Sequence, residues 1–167
     1  AVVVDVGGGS MQITLFQKGT AVTTQRIELG IMRIWEKLSK IRNMVSHYET
    51  QIQELIDKEL EIFKRLYLEG KDIQYVILMG DYIGEMVKGF SKKLDDGTIE
   101  TERFLKLLNK WHKKSPKEIA IELNLVNEND PLILPSVVLY KRLTEEMNAD
   151  FVWVPGVSIG DGIVCDY

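Results

Sequence analysis

The chain is poor in the residues that staple small proteins together. Its 167 residues include one cysteine, two histidines and four prolines. The lone thiol, Cys165, excludes an internal disulfide and a cysteine-based metal site. It fits a reducing compartment, and a cytoplasmic location is the expectation. Between Val164 and Asp166 it reads as an inert packed thiol. His47 and His112 are far apart and have no metal partner nearby in sequence, which assigns them surface or capping roles. No apolar run approaches the roughly 20 residues of a membrane span. No basic segment with a following apolar stretch marks a signal peptide. Net positive charge is also missing. The formal balance of −4 argues against a general nucleic-acid surface. It still allows a local polyanion site, because backbone N–H groups and a bound cation can outweigh a mildly negative surface. The chain opens on Ala1 inside an apolar run, without Met, and is expected to be a piece of a longer protein.

Glycine, by contrast, is concentrated in one place. Asp5-Val6-Gly7-Gly8-Gly9-Ser10 follows the apolar run Ala1-Val2-Val3-Val4 and precedes the alternating run Met11-Gln12-Ile13-Thr14-Leu15-Phe16. This pattern predicts a strand, a glycine turn and a half-buried strand. Three residues without Cβ let backbone N–H groups approach an anion closely. Ser10 adds a hydroxyl donor, and Asp5 places a carboxylate at a strand end, where a metal ion or an attacking water could sit. An ordinary glycine-rich hairpin is the plain alternative, and the flanking Asp and Ser tip the reading towards phosphate.

Along the rest of the chain, periodicity predicts a third strand over residues 20–28 after a Lys18-Gly19 turn. A helix follows Gly30, with Ile31, Ile34, Trp35 and Leu38 on one face. A long helix is expected over about 46–68, its apolar positions including Ile52, Ile56, Leu60, Phe63, Leu66 and Tyr67, with Gly70 as its stop. The continuous apolar run 75–79 predicts a strand covered on both faces. Gly80-Asp81 ends it, with Asp81 as N-cap of a helix from Tyr82. Asp95-Asp96-Gly97 marks a turn, 98–100 a short strand and 101–113 a helix. Ser115-Pro116-Lys117-Glu118 carries a helix-start pattern. A helix over 134–148, a strand over 151–154 and a final short element over 159–164 complete the order. Strands followed by interleaved helices and strands form an α/β layer arrangement, and the whole chain is expected to be a single domain, residues 1–167. Trp35 and Trp153 lie in apolar periodic segments and are expected in the core. Lys92-Lys93 and Lys113-Lys114 read as solvated charge pairs.

These residues also carry a resemblance. Asp5 to Ser10 resembles the second phosphate-binding hairpin of the exopolyphosphatase/guanosine pentaphosphate phosphatase (Ppx/GppA) family, whose usual form is Asp-(Ile/Val)-Gly-Gly-Gly-Ser-x-Glu-(Leu/Ile). Leu29-Gly30-Ile31-Met32-Arg33-Ile34 is similar to the family's Leu-Gly-x-x-Arg-Leu. Val76-Ile77-Leu78-Met79-Gly80 stands where the family has a strand ending in Gly-Gly. Pro135 precedes the late helix as in family members, and Val157 to Ile163 resembles the family's closing segment. The resemblance implies an actin-like ATPase (ribonuclease H-like) α/β lobe, a mixed sheet with flanking helices. It further implies the C-terminal lobe of a two-lobed phosphatase whose N-terminal lobe lies upstream.

By the same resemblance, Gly7, Gly8, Gly9 and Ser10 would hold phosphate, joined by Gly80 and by Arg33, whose guanidinium fork could reach it. Asp5 would bind Mg²⁺ directly or through water. The implied reaction is release of orthophosphate from inorganic polyphosphate or guanosine pentaphosphate, with the catalytic Glu in the other lobe. A homodimer is a candidate assembly, and neither nucleic acid nor membrane is an expected partner. Two departures point to an alternative, a non-catalytic phosphate- or nucleotide-sensing member. Gln12, the candidate catalytic residue, stands where the family has Glu; an amide is not a base, though it could still hold a water if the Glu of the other lobe does the proton work, and Gln12 suits nearly as well the polar, outward member of an alternating strand. Asp81 puts a side chain and a negative charge where the family pairs glycines. For Arg33, a surface ion pair with a nearby Glu is an equal reading.

Overall fold

The computed structural model describes residues 1–41, 48–88, 93–94, 96–125 and 130–155. The expected final element over 159–164, Cys165 and His47 lie outside the described residues. Six strands form one mixed sheet in the order β3-β2-β1-β4-β6-β5. β1 (Val2–Val6) is central. Its valine-rich run pairs antiparallel with β2 (Met11–Gln17) and parallel with β4 (Tyr75–Gly80). β3 (Thr20–Ile27) follows a two-residue turn in which Lys18 and Gly19 both take positive φ. That backbone matches the right-handed twist of a tight hairpin. β6 (Phe151–Trp153) lies parallel to β4, and β5 (Ile99–Glu100) closes the far edge antiparallel to β6.

Pleating divides the sheet residues into two sets. Val2, Val4, Val6, Ile13, Leu15, Val76, Leu78 and Val152 are almost wholly excluded from solvent. They share one core with α1 (Ile31–Ile41), α2 (Tyr48–Phe63), α4 (Thr101–His112), α5 (Pro116–Glu122) and α6 (Ile133–Met147). α6 is the spine of that layer, touching α1, α2, α4, α5 and β4. α3 (Ile83–Lys88) follows β4. Ser115 caps α5 through a complete capping box with Glu118, and Pro116 occupies the first turn, as its motif predicts. An Arg142 guanidinium on α6 grips Asp57 of α2 through two bonds of 2.7 Å and also holds Glu145 at 2.8 Å and Glu146 at 2.6 Å.

Several details differ from the sequence reading. α2 runs on into a π-helical turn, Lys64–Leu68. The wider turn breaks the 3.6-residue phase, so Leu66 falls on the solvent side, 61% exposed, instead of on the apolar face. Trp153, expected in the core, is 41% exposed because its pleat points to the open face of the sheet; Trp35 is half-buried. Pro135 lies within the first turn of α6 and not before it, a place where its missing N–H costs no helical bond.

Candidate phosphate-binding site

The glycine hairpin connects β1 to β2. The Gly7 amide donates to the Ser10 carbonyl at 2.9 Å and closes the turn. α1 then docks onto it end-on: the Ile31 amide donates to the Gly7 carbonyl at 3.1 Å and the Met32 amide to the Gly8 carbonyl at 2.9 Å. The approach is so close that a Cβ on Gly30 would stand 2.3 Å from the Gly8 oxygen. Gly30 is therefore a contact residue of the site, a role its sequence context did not reveal.

This docking fixes the direction of the loop amides. Each trans peptide plane carries its N–H opposite its C=O. With the Gly7 and Gly8 carbonyls turned into α1, the N–H groups of Gly8 and Gly9 project away from it. Gly7, Gly8 and Gly9 are exposed, and among the described residues neither the Gly8 nor the Gly9 amide donates to a backbone carbonyl. Two outward amides on consecutive residues form an anion-binding concavity.

Asp5 lies beside this concavity, directly opposite Gln12 on β2 and Met79 on β4. Gln12 in turn lies opposite Arg26 on β3. Directly opposed residues share a face, so Asp5, Gln12 and Arg26 form one cross-strand row. Gln12 is exposed and so is the outward member of its strand, and it is also the immediate neighbour of Asp5. Arg26 was not singled out from the sequence, because register between distant strands has no local signature. Its Nε holds Glu28 at 2.8 Å. Arg33, on the first turn of α1, is half-exposed and lies 3.7 Å from the same Glu28 carboxylate.

Gly80 ends β4 opposite Val6, bringing it to the same end of the sheet. Its φ of +133 is closed to most side chains, and a Cβ there would stand 2.4 Å from the Val6 carbonyl oxygen and 2.8 Å from the Tyr140 hydroxyl. Asp81 does not cap α3. The helix begins at Ile83, and its first carbonyl acceptor is that of Tyr82, bonded by the Met86 amide at 3.0 Å. Tyr82 itself takes a left-handed φ of +69, so Asp81 lies one residue too early to cap. Tyr140, fully buried in α6, donates its hydroxyl to the Asp81 carbonyl at 2.9 Å, and the Tyr82 hydroxyl donates to the Asp130 carboxylate.

The site therefore sets two carboxylates, the part-buried Asp5 and the exposed Asp81, at the same end of the sheet as the outward loop amides. Burial, followed by the charge of Asp81, pushes the Asp5 carboxyl above the ordinary carboxylate value. Burial, then Asp81 and Asp5, pushes the Tyr140 hydroxyl far above the usual phenol value, so it keeps its proton and donates. Among the described residues no cluster of three or more His, Cys, Asp or Glu could hold a metal by itself. Mg²⁺ is usually held by one or two carboxylates together with waters and substrate oxygens, and Asp5 and Asp81 are the residues that would hold one here. A separate cavity of about 820 Å³, lined by Asp57, Lys64, Ile73 and Met147 among others, lies at the opposite end of β4.

Comparison with known proteins identifies the family and the fold. A profile of the Ppx/GppA phosphatase family matches residues 1–167. No curated protein matches the chain by sequence. Among solved structures, the Aquifex aeolicus Ppx/GppA enzyme superposes with a TM-score of 0.75 at 17% identity, covering 99% of this chain and 56% of that one. An exopolyphosphatase-like protein gives 0.75 at 16% identity, over 99% and 57% of the two chains. An exopolyphosphatase from Cytophaga hutchinsonii gives 0.70 at 14% identity, over 98% and 55%. The chain thus spans a little over half the length of these structures, and its fold is the α/β lobe of the actin-like ATPase (ribonuclease H-like) class. No helix among the described residues is long and apolar enough to cross a membrane.

Proposed function

The chain belongs to the Ppx/GppA phosphatase family, and on that basis we propose that it is the phosphate-holding C-terminal lobe of a two-lobed phosphohydrolase releasing orthophosphate from inorganic polyphosphate or guanosine pentaphosphate. The observation that carries the proposal is the direction of the Gly8 and Gly9 amides, set by α1 and adjoining Asp5. In this reading those amides and the Ser10 hydroxyl bind and orient the terminal phosphoryl group. Asp5, with Asp81 close by, would hold Mg²⁺, which would neutralise charge on the phosphate chain. Phosphoryl transfer depends mostly on such positioning and charge neutralisation. The proton-accepting Glu would come from a preceding lobe that closes the open cleft. The working location is the cytoplasm, and a homodimer is the candidate assembly.

The test is phosphate release from polyphosphate and from guanosine pentaphosphate, with Mg²⁺, by the protein made from its complete reading frame. Release that a Gly9→Glu variant loses supports the proposal; no release above that variant removes the hydrolase reading. The 167-residue chain alone is expected to release little or none, because half of the cleft is then absent.

Gln12 opposite Asp5 favours a second reading, a family member that binds phosphate or nucleotide without turnover. Positioned acid–base groups contribute roughly 10²–10⁴ in rate. Under this reading tripolyphosphate binds without hydrolysis, and Gln12→Glu introduces turnover. Robust hydrolysis by the unaltered protein removes it.

A further inference from the structure

The turn at the end of β4 brings a fixed negative charge to the rim of the glycine hairpin, and its consequence for binding depends on that hairpin holding phosphate. The turn is held at three successive residues. Gly80 has no room for a side chain against the Val6 carbonyl and the Tyr140 hydroxyl. The Asp81 carbonyl accepts the buried Tyr140 hydroxyl at 2.9 Å. Tyr82, in a left-handed conformation, is tied through its hydroxyl to Asp130. The backbone of Asp81 is thus pinned from both sides, while its carboxylate is exposed and has no cationic partner among the described residues. One strand away, Asp5 precedes Val6, the residue paired with Gly80, and Asp81 follows Gly80. The Gly8 and Gly9 amides that attract an anion therefore share the end of the sheet with two carboxylates that repel it.

We infer that Asp81 is a selectivity residue: it rejects a free phosphate chain and admits the same chain as a complex with a divalent cation. Tyr140 is the positioning residue that keeps the carboxylate at the rim. At low ionic strength, the condition of the titrations below, a unit charge about 10 Å from a phosphate charge, at an effective dielectric of about 20, changes affinity by roughly tenfold, and added salt screens the effect. A cation between them cancels that factor, so the preference falls on the complexed ligand. A glycine at position 81 would bind both forms with less distinction.

The experiment is calorimetric titration of sodium tripolyphosphate into the protein made from its complete reading frame, once in EDTA and once in Mg²⁺. The proteins are the unaltered chain, Asp81→Asn, Asp81→Gly and Tyr140→Phe, each checked by thermal melting. Asp81→Asn and Asp81→Gly are expected to bind about tenfold tighter than the unaltered chain in EDTA, and the gain on adding Mg²⁺ shrinks correspondingly. Tyr140→Phe keeps every charge but frees the turn. It is expected to move the EDTA affinity in the same direction by a smaller factor, with little change in Mg²⁺. EDTA affinities within about twofold of the unaltered chain for both Asp81 variants overturn the inference, while binding in Mg²⁺ leaves the phosphate reading standing. An unchanged EDTA affinity in Tyr140→Phe overturns its positioning role. Failure of the unaltered chain to bind in either buffer overturns both the phosphate reading and this inference.

Discussion

Gly30 and Gly9 receive the same substitution to alanine with opposite expected results. A Cβ on Gly30 would lie 2.3 Å from the Gly8 oxygen and 2.5 Å from the Gly7 oxygen, whereas a Cβ on Gly9 meets nothing within 4 Å. Relieving the Gly30 overlap requires α1 to withdraw by about 1 Å, which takes the Ile31 and Met32 amides out of hydrogen-bond range of the loop. Two lost bonds cost about 1–3 kcal/mol together, and residual overpacking adds about 1–3 kcal/mol. Reduced unfolded-state freedom returns about 0.4–1 kcal/mol. A net loss of about 2–4 kcal/mol corresponds to a fall in Tm of roughly 5–15 °C for a chain of this size. Gly9→Ala should stay within about 0.5 kcal/mol of the unaltered chain. Thermal unfolding followed by circular dichroism measures both. Tripolyphosphate titration then reads the functional part: Gly30→Ala should lose binding because its loop amides are no longer aimed, and Gly9→Ala should retain it. A Gly30→Ala protein as stable as the unaltered chain would refute the docking of α1 on the loop, as would a Gly9→Ala protein equally impaired.

Three more perturbations have defined outcomes. Asp5 has a raised carboxyl pKa when folded, from burial and then Asp81, so its ionisation opposes folding as pH rises from the ordinary Asp value through the folded one. Asp5→Asn should therefore raise Tm in ligand-free buffer at neutral pH, the gain vanishing below the ordinary Asp value, while Mg²⁺-dependent tripolyphosphate binding is lost; melts across pH without the gain contradict this. Arg142→Lys keeps the charge but not the fork that spans Asp57, Glu145 and Glu146, and should cost about 1–3 kcal/mol in urea unfolding; a neutral result would show that the network adds nothing to α2–α6 docking. Ser115→Ala removes the hydroxyl that accepts the Glu118 amide at 3.2 Å and should cost about 1 kcal/mol in the same assay, and no change would mean that α5 holds its start without the box.

Much of the fold was legible in the sequence because it is local. The three glycines after a valine-rich run predict a strand and turn, and Ser115-Pro116-Lys117-Glu118 names a helix start from its own side chains. Lys18-Gly19 carries its turn in its own backbone preference. Leu66 shows where local reading stops. Its spacing fits the apolar face, yet a π-helical turn beginning at Lys64 rotates it to solvent. Asp81 is another case: as a residue before a helix it looks like a cap, but the left-handed Tyr82 between it and Ile83 changes its place.

The order of residues alone specifies the hairpin and its chemistry: a carboxylate, three residues without side chains, and a hydroxyl, all between Asp5 and Ser10. Which way the amides face was settled by packing, since that depends on α1 arriving some 20 residues later to take the loop carbonyls. Packing likewise set Asp5, Gln12 and Arg26 in one row through the register of three strands. It also brought the Tyr140 hydroxyl to the Asp81 carbonyl across 59 positions of chain. Backbone preference acts over a few residues and is written in them, whereas register and docking arise from burying distant apolar faces together, and so the site's composition was readable while its orientation and charge balance were not.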